Sequence, residues 1–250
     1  PCDLAQLYAE AEVALPPLSE AGVFEALPEF LRSSLNRERW GWRFDTREKQ
    51  VKRTRDYWSM IAGVDRALGR VLDALDEQGL AQDTVVVFTS DNGYFLGERG
   101  FAGKWLIYEE SVRVPLIIYD PRLPQGQRGR LVEQMVLNID LAPTLLALAG
   151  VQAPEAYEGR SLVPLFGQAP ESWRSDFLYE HRMKHPAIPK SEGVRGERWV
   201  YARYYEQQPL YEQLFDLRSD PLQLTNLAGD SSFEQVLSAQ RARCDELLGE

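Results

Sequence analysis

The chain has 250 residues, with 28 Lys and Arg against 38 Asp and Glu, for a net charge of −10. That sign argues against general nucleic-acid binding, and no apolar run approaches the length of a membrane span. Hydrophobic residues make up 44% and charged residues 26%, the balance of a globular protein.

Leu4, Leu7 and Tyr8 could line a short helical face that Pro16-Pro17 stops, and Glu25 to Leu35 predicts a second short helix. A basic run follows: Arg37, Arg39, Arg43, Arg47, Lys49, Lys52, Arg53 and Arg55. It reads either as a patch that steers anions or as a solvated helix face paired with Glu38, Asp45, Glu48 and Asp56, the commoner fate of a charge run. Trp40 and Trp42 add apolar bulk for packing. From Asp56 to Gln78, Tyr57, Ile61, Val64, Leu68, Val71, Leu72 and Leu75 recur at helical steps, and Gly79 is a suitable stop. Asp65 on this helix reads as a surface charge.

Thr84 to Lys104, TVVVFTSDNGYFLGERGFAGK, is the most informative stretch. Thr84 to Phe88 is a short run without polar alternation, which predicts a strand buried on both faces, as in a parallel sheet. Ser90, Asp91, Asn92 and Gly93 then form a turn. In open α/β sheets ligands gather at the carboxyl ends of strands. A carboxylate and a carboxamide there are a hard oxygen pair suited to Ca²⁺ or Mg²⁺. Gly97, Gly100 and Gly103 keep the next loop slim, and Lys104 adds a positive charge suited to an oxyanion.

Trp105 to Ser111 predicts a helical turn, Val114 to Tyr119 a second buried strand, and Leu131 to Leu137 a third. Asn138 or Asp140 can cap a helix carrying Leu141, Leu145, Leu146 and Leu148, with Pro143 in its first turn and Gly150 at its end. Gln152 to Pro170 is rich in Pro and Gly, and a boundary near Pro170 divides the chain into 1–170 and 171–250. Beyond it, Asp176 to Glu180, Gly193 to Arg195, Arg198 to Tyr204 and Leu210 to Leu217 read as strands, with Gly196-Glu197 as a hairpin turn. Ser231 to Leu248 reads as a final helix. Cys2 and Cys244 give neither a disulfide framework nor zinc spacing. Pro1-Cys2-Asp3 lacks the basic and apolar start of a signal peptide.

Ser90-Asp91-Asn92-Gly93 after a strand, Gly97-Glu98, Gly103-Lys104, Glu109-Glu110-Ser111, Arg113-Val114-Pro115-Leu116 and Gly159-Arg160-Ser161-Leu162 follow one another in an order that resembles the sulfatase family. Asp220-Pro221 and Thr225-Asn226-Leu227-Ala228 resemble that family's tail. The resemblance implies an α/β fold: part of a sulfatase or alkaline-phosphatase-like sheet with helices, then a small antiparallel sheet with a terminal helix. It implies that Asp91 and Asn92 ligate a divalent cation, usually Ca²⁺ with Mg²⁺ possible, and that Lys104 contacts sulfate or the bridging oxygen. His181, His185, Arg99 and Arg195 are the candidates for contacts to the organic part of a sulfated small molecule or saccharide. Family members of this kind are expected in the periplasm or outside the cell.

The family's nucleophile is a formylglycine made within a Cys/Ser-x-Pro/Ala-x-Arg motif, and no such string occurs in these 250 residues. Early paired aspartates after a first strand are also missing. The expectation is therefore the C-terminal portion of a sulfatase, inactive alone, binding Ca²⁺ weakly, with an open sheet edge prone to association. Two alternatives stay open. One is a phosphodiesterase or phosphonate hydrolase of the alkaline phosphatase superfamily, although those more often carry Asp-His-Gly where this chain has Asp91-Asn92-Gly93. The other is a non-catalytic standalone module.

Overall fold

The computed structural model describes residues 4–167 and 170–249. Cys2 lies outside them. Four helices open the chain: α1 (Ala21–Glu25), α2 (Glu29–Arg32), α3 (Leu35–Arg43) and α4 (Arg47–Glu77). Of the helix expected over Glu25 to Leu35 only α2 forms in full, opening after Pro28, with α1 ending and α3 beginning at its two limits, and Leu4–Gln6 makes only a 3₁₀ turn. Helix α4 starts nine residues earlier than its apolar periodicity indicates, because the Thr46 side chain accepts from the Lys49 N–H at 3.2 Å and caps it. It ends at Gly79, whose φ of +70° suits a residue without Cβ. There Leu80 N–H donates back to Leu75 O at 2.8 Å and Gly79 N–H to Asp76 O at 3.0 Å.

Most of the basic run is engaged locally. Arg55 donates twice to Ala11 O, at 3.0 and 2.7 Å, and Arg47 to Val13 O, so both hold the N-terminal strap on α4. Lys49 pairs with Asp45 at 2.7 Å and Lys52 with Asp56 at 2.8 Å. The solvated, salt-bridged reading describes these side chains better than anion steering does.

After α4 come β1 (Val86–Thr89), β2 (Phe95–Leu96), β3 (Ala102–Gly103), α5 (Glu109–Val112) and β4 (Leu116–Tyr119). The helical turn expected at Trp105 to Ser111 falls later, at α5. Among the described residues β1 pairs with β4 alone, antiparallel, with Phe88 opposite Ile117. This corrects the parallel, doubly buried strand expected at Thr84 to Phe88. An apolar run reports that a strand can be buried but not which way its neighbour runs. Val86, Val87 and Phe88 are half-buried, and Ile117 is 61% exposed. One face of this ribbon and the apolar face of α4 line a groove of about 1030 Å³. Ile61, Val64 and Leu72 of α4 are exposed there, and α4 has no buried residue.

Leu131 to Leu137 forms no strand. Leu131 is 85% exposed, and the segment pairs with no strand among the described residues. Asn138–Asp140 makes a 3₁₀ turn that leads into α6 (Leu141–Leu148). Asp140 is fully buried and accepts from Leu137 N–H at 2.7 Å, Arg160 N–H at 2.8 Å and the Arg174 guanidinium. The Gly159-Arg160-Ser161-Leu162 string therefore docks on the start of α6. A Cβ on Gly159 would lie 2.0 Å from Ile139 O, so only glycine fits that approach.

The C-terminal part is a four-stranded antiparallel meander, β5 (Asp176–His181), β6 (Ser191–Gly196), β7 (Trp199–Tyr204) and β8 (Tyr211–Asp216), followed by α7 (Glu234–Leu248). Two cores sit on its two faces. Val194, Tyr201 and Leu214 meet Leu237 and the buried Cys244 of α7. On the other face Val200, Ala202, Tyr204 and Phe215 pack against Leu31, Phe95, Phe101, Leu106, Ile107 and Tyr108. The largest core thus lies between the C-terminal sheet and the loop that follows the Asp-Asn pair. Asn226 ties this sheet to its tail, accepting from Leu214 N–H at 3.0 Å and donating to Glu212 O at 2.9 Å.

Candidate active site

Strand β1 delivers the chain to a turn at its carboxyl end. Ser90 Oγ donates to Asn92 O at 3.0 Å, and Gly93 N–H donates to Ser111 O at 2.8 Å. A Cβ on Gly93 would lie 2.2 Å from Glu110 O, so the turn is held against α5 at a distance only glycine allows. Beyond the turn β2 and β3 form a miniature hairpin with Phe95 opposite Gly103. Continuing that register sets Lys104 across from Tyr94, two residues from Asn92. The hairpin is what turns a twelve-residue separation into contact: Lys104 Nζ donates to Asn92 Oδ1 and lies 3.7 Å from Asp91 Oδ2.

Asp91, Asn92 and Lys104 line one cleft of about 860 Å³. Its opposite wall is β5 and β6 of the C-terminal sheet, which brings in His181 and Arg195. Arg195 forms a two-pronged ion pair with Glu109, at 3.0 and 3.1 Å, so its charge is already partnered across the cleft. His181 ends β5 opposite Ser191. Burial pushes its pKa down, while a hydrogen bond with the Pro189 backbone pushes it the other way, and the net shift is downward. Its Nδ1 is buried without a hydrogen-bond partner among the described residues.

The other two candidates lie elsewhere. Arg99 is 2% exposed and sits in the interior, not in the cleft. It donates to Gln223 O at 3.0 Å and to Leu222 O, stands 3.4 Å from Glu110, and stacks 4.1 Å over the Tyr108 ring. It clamps the 220s loop to the main core. His185 accepts from Ala187 N–H at 3.1 Å through Nδ1, as part of a local turn, and does not line the cleft.

The donor chemistry fits a hard divalent cation in kind. The Lys104 ammonium already bridging Asp91 and Asn92 shows that the pair attracts positive charge. In number it supplies two oxygens against the six to eight that Ca²⁺ takes. Among the described residues no group of three or more His, Cys, Asp or Glu could hold a metal. Three cleft features escaped sequence reasoning: the Glu109 partner of Arg195, the left-handed φ of +85° at Trp105, and buried Asn36, which donates to Lys104 O at 2.8 Å. A lone Asn in a basic helix carries no signal of such a contact.

The cleft thus brings together an oxygen pair at a strand's carboxyl end, an ammonium beside it and a second sheet across from them. Comparison with known proteins supplies the family. The Sulfatase family model matches residues 16–151, and the model of the N-sulphoglucosamine sulphohydrolase C-terminal region matches residues 97–249. The chain belongs to the sulfatase family. It is 34% identical over 185 residues to an N-acetylglucosamine-6-O-sulfatase of Bacteroides thetaiotaomicron, covering 72% of this chain and 32% of that protein. It is 33% identical over 205 residues to an arylsulfatase of Clostridium perfringens, covering 78% and 40%. A phosphonate monoester hydrolase from Silicibacter pomeroyi has the same fold with a TM-score of 0.84 at 28% identity, covering 98% of this chain and 53% of that one. The chain thus spans less than half the length of these two curated relatives. The mixed α/β architecture with a small C-terminal antiparallel sheet and terminal helix is the one expected from the sequence.

Proposed function

We propose that this chain is the C-terminal portion of a metal-dependent sulfatase that hydrolyses sulfate esters of a saccharide or aryl alcohol. The observation that carries the reading is the meeting of Asp91, Asn92 and Lys104 in one cleft. Asp91 and Asn92 would hold Ca²⁺, or Mg²⁺, through a carboxylate and an amide oxygen. The cation would neutralise charge on the sulfate oxygens. Lys104 would contact sulfate or the bridging oxygen, and His181 and Arg195 would face the organic group. The nucleophile and the remaining ligands would come from a part of a sulfatase not contained in these 250 residues. A periplasmic or extracellular location fits the same family.

Two assays test this. Calorimetric titration of the chain with Ca²⁺ should show weak binding, with a Kd on the order of 1 mM, lost in Asp91→Ala. The chain alone should not turn over 4-nitrophenyl sulfate, and clear turnover would overturn the proposed division of the site. The structural likeness to a phosphonate monoester hydrolase keeps a second substrate class in view. Once activity is restored by a segment carrying the Cys/Ser-x-Pro/Ala-x-Arg motif, a preference for a phosphonate monoester over aryl and saccharide sulfates would favour that class.

A further inference from the structure

The Lys104 side chain is 39% exposed on a flexible stem, yet both of its chain neighbours have left-handed φ values. Gly103 before it has φ +107° and Trp105 after it φ +85°, a value that side-chain-bearing residues rarely adopt. Something must hold this kink, and helix α3 contacts it at several points. Asn36 is fully buried, and its Nδ2 donates to Lys104 O at 2.8 Å and to Ala102 O at 3.4 Å. Two carbonyls facing one terminal atom identify that atom as the nitrogen. One helical turn on, the Arg39 guanidinium lies 4.6 Å from the Trp105 ring centre. Arg37 donates to Gly100 O at 3.2 Å.

The state of Asn36 argues for a positioning role over space filling. Its Oδ1 is buried with no hydrogen-bond partner among the described residues. An apolar side chain of similar volume would fill the space without leaving an acceptor unpaired. Asparagine is justified by its two donations, and both go to the backbone on either side of Gly103. We propose that α3 is the clamp that aims Lys104 into the cleft, and that Asn36 is its positioning residue. This rests on the reading of Lys104 as a sulfate contact. Asn36 acts on the Lys104 main chain and touches no substrate.

The test measures the Lys104 side chain directly, without turnover. The folded chain is treated briefly with an acetylating ester, and mass spectrometry gives the rate at Lys104 relative to Lys52, which lies on α4 and is well exposed. In Asn36→Ala the Lys104 to Lys52 ratio should rise about fivefold, or about 1 kcal/mol at 1.4 kcal/mol per factor of ten. Arg39→Met, which alters only the outer side of the clamp, should raise it by a smaller factor. Circular dichroism confirms the fold of each variant. A folded Asn36→Ala with a wild-type ratio would overturn the inference. If Asn36→Ala does not fold, Arg39→Met decides in the same way. Inorganic sulfate is added in a parallel arm. If it gives no protection of Lys104 in the unmodified chain, the sulfate-contact reading falls, while the acetylation ratio still decides the role of Asn36.

Discussion

Arg99 offers the sharpest test of how the molecule is built, because the family resemblance makes it a candidate for substrate contact while its location is the core. Consider Arg99→Met. The backbone there is left-handed, with φ +55°, but arginine and methionine bear that strain alike, so it cancels in the comparison. What is lost is the guanidinium fork. A hydrogen bond from a charged donor contributes about 1.5–3 kcal/mol, and a buried acceptor left unpaired costs about 1–3 kcal/mol. Gln223 is 1% exposed, so its carbonyl stays dry once Arg99 is gone. Leu222 is 46% exposed, so water replaces the lost donor at its own carbonyl. Loss of stacking on Tyr108 adds about 1 kcal/mol, and methionine regains part of the total through apolar burial. The expected net loss is about 3–4 kcal/mol, read as a lower urea midpoint at unchanged slope. Arg99→Lys should recover less than half, because an ammonium cannot reproduce the fork. A loss below about 1 kcal/mol in Arg99→Met would refute the structural assignment.

Two further outcomes follow from single contacts. Gly93→Ala forces a Cβ to within 2.2 Å of Glu110 O, a backbone atom that cannot swing away, so stability should fall by about 2–3 kcal/mol and Ca²⁺ affinity with it; thermal melting and calorimetry check both. Asp216 accepts from Arg198 at 2.9 and 2.8 Å, and these bonds hold its carboxyl at about 2, below the ordinary 3.8. A depressed carboxylate stabilises the fold above its unfolded pKa and loses that contribution as pH falls toward its folded one. Asp216→Asn should therefore lower stability by about 1–2 kcal/mol at neutral pH, after discounting for the half-exposed Arg198, and flatten the stability profile between pH 4 and 2 in urea titrations.

The C-terminal meander was legible because each strand is bounded by turn residues and its neighbours follow in sequence. Asp176 to Glu180 and Leu210 to Leu217 fall within a residue or so of β5 and β8. The Asp-Asn turn was legible for a similar reason, since its spacing to β1 is local. Contacts between distant positions were not. Asn36 and Lys104 are 68 residues apart, and Arg99 and Gln223 are 124 apart, so neither pairing leaves a periodic trace. Leu131 to Leu137 failed in the opposite sense. Its composition suits a strand, but a strand exists only where another edge accepts its hydrogen bonds.

These failures bear on how the site is assembled. The cation-attracting pair comes from β1, its ammonium neighbour returns through the β2–β3 hairpin, and the far wall comes from β5 and β6. The largest core binds the hairpin to the C-terminal sheet through Phe95, Phe101 and Tyr108 on one side and Ala202, Tyr204 and Phe215 on the other. That core is therefore what sets the width of the cleft. By contrast β1, which leads into the turn of Asp91 and Asn92, belongs to a two-stranded ribbon whose groove with α4 leaves Ile61, Val64 and Ile117 exposed. Two strands alone are marginal in water. The half of the cleft bearing Lys104 is thus anchored in a dense aromatic core, while the half bearing Asp91 and Asn92 depends on Gly93 pressed against α5. Disturbing the core should move Lys104 and the far wall together, whereas disturbing the Gly93 contact should move Asp91 and Asn92 away from both.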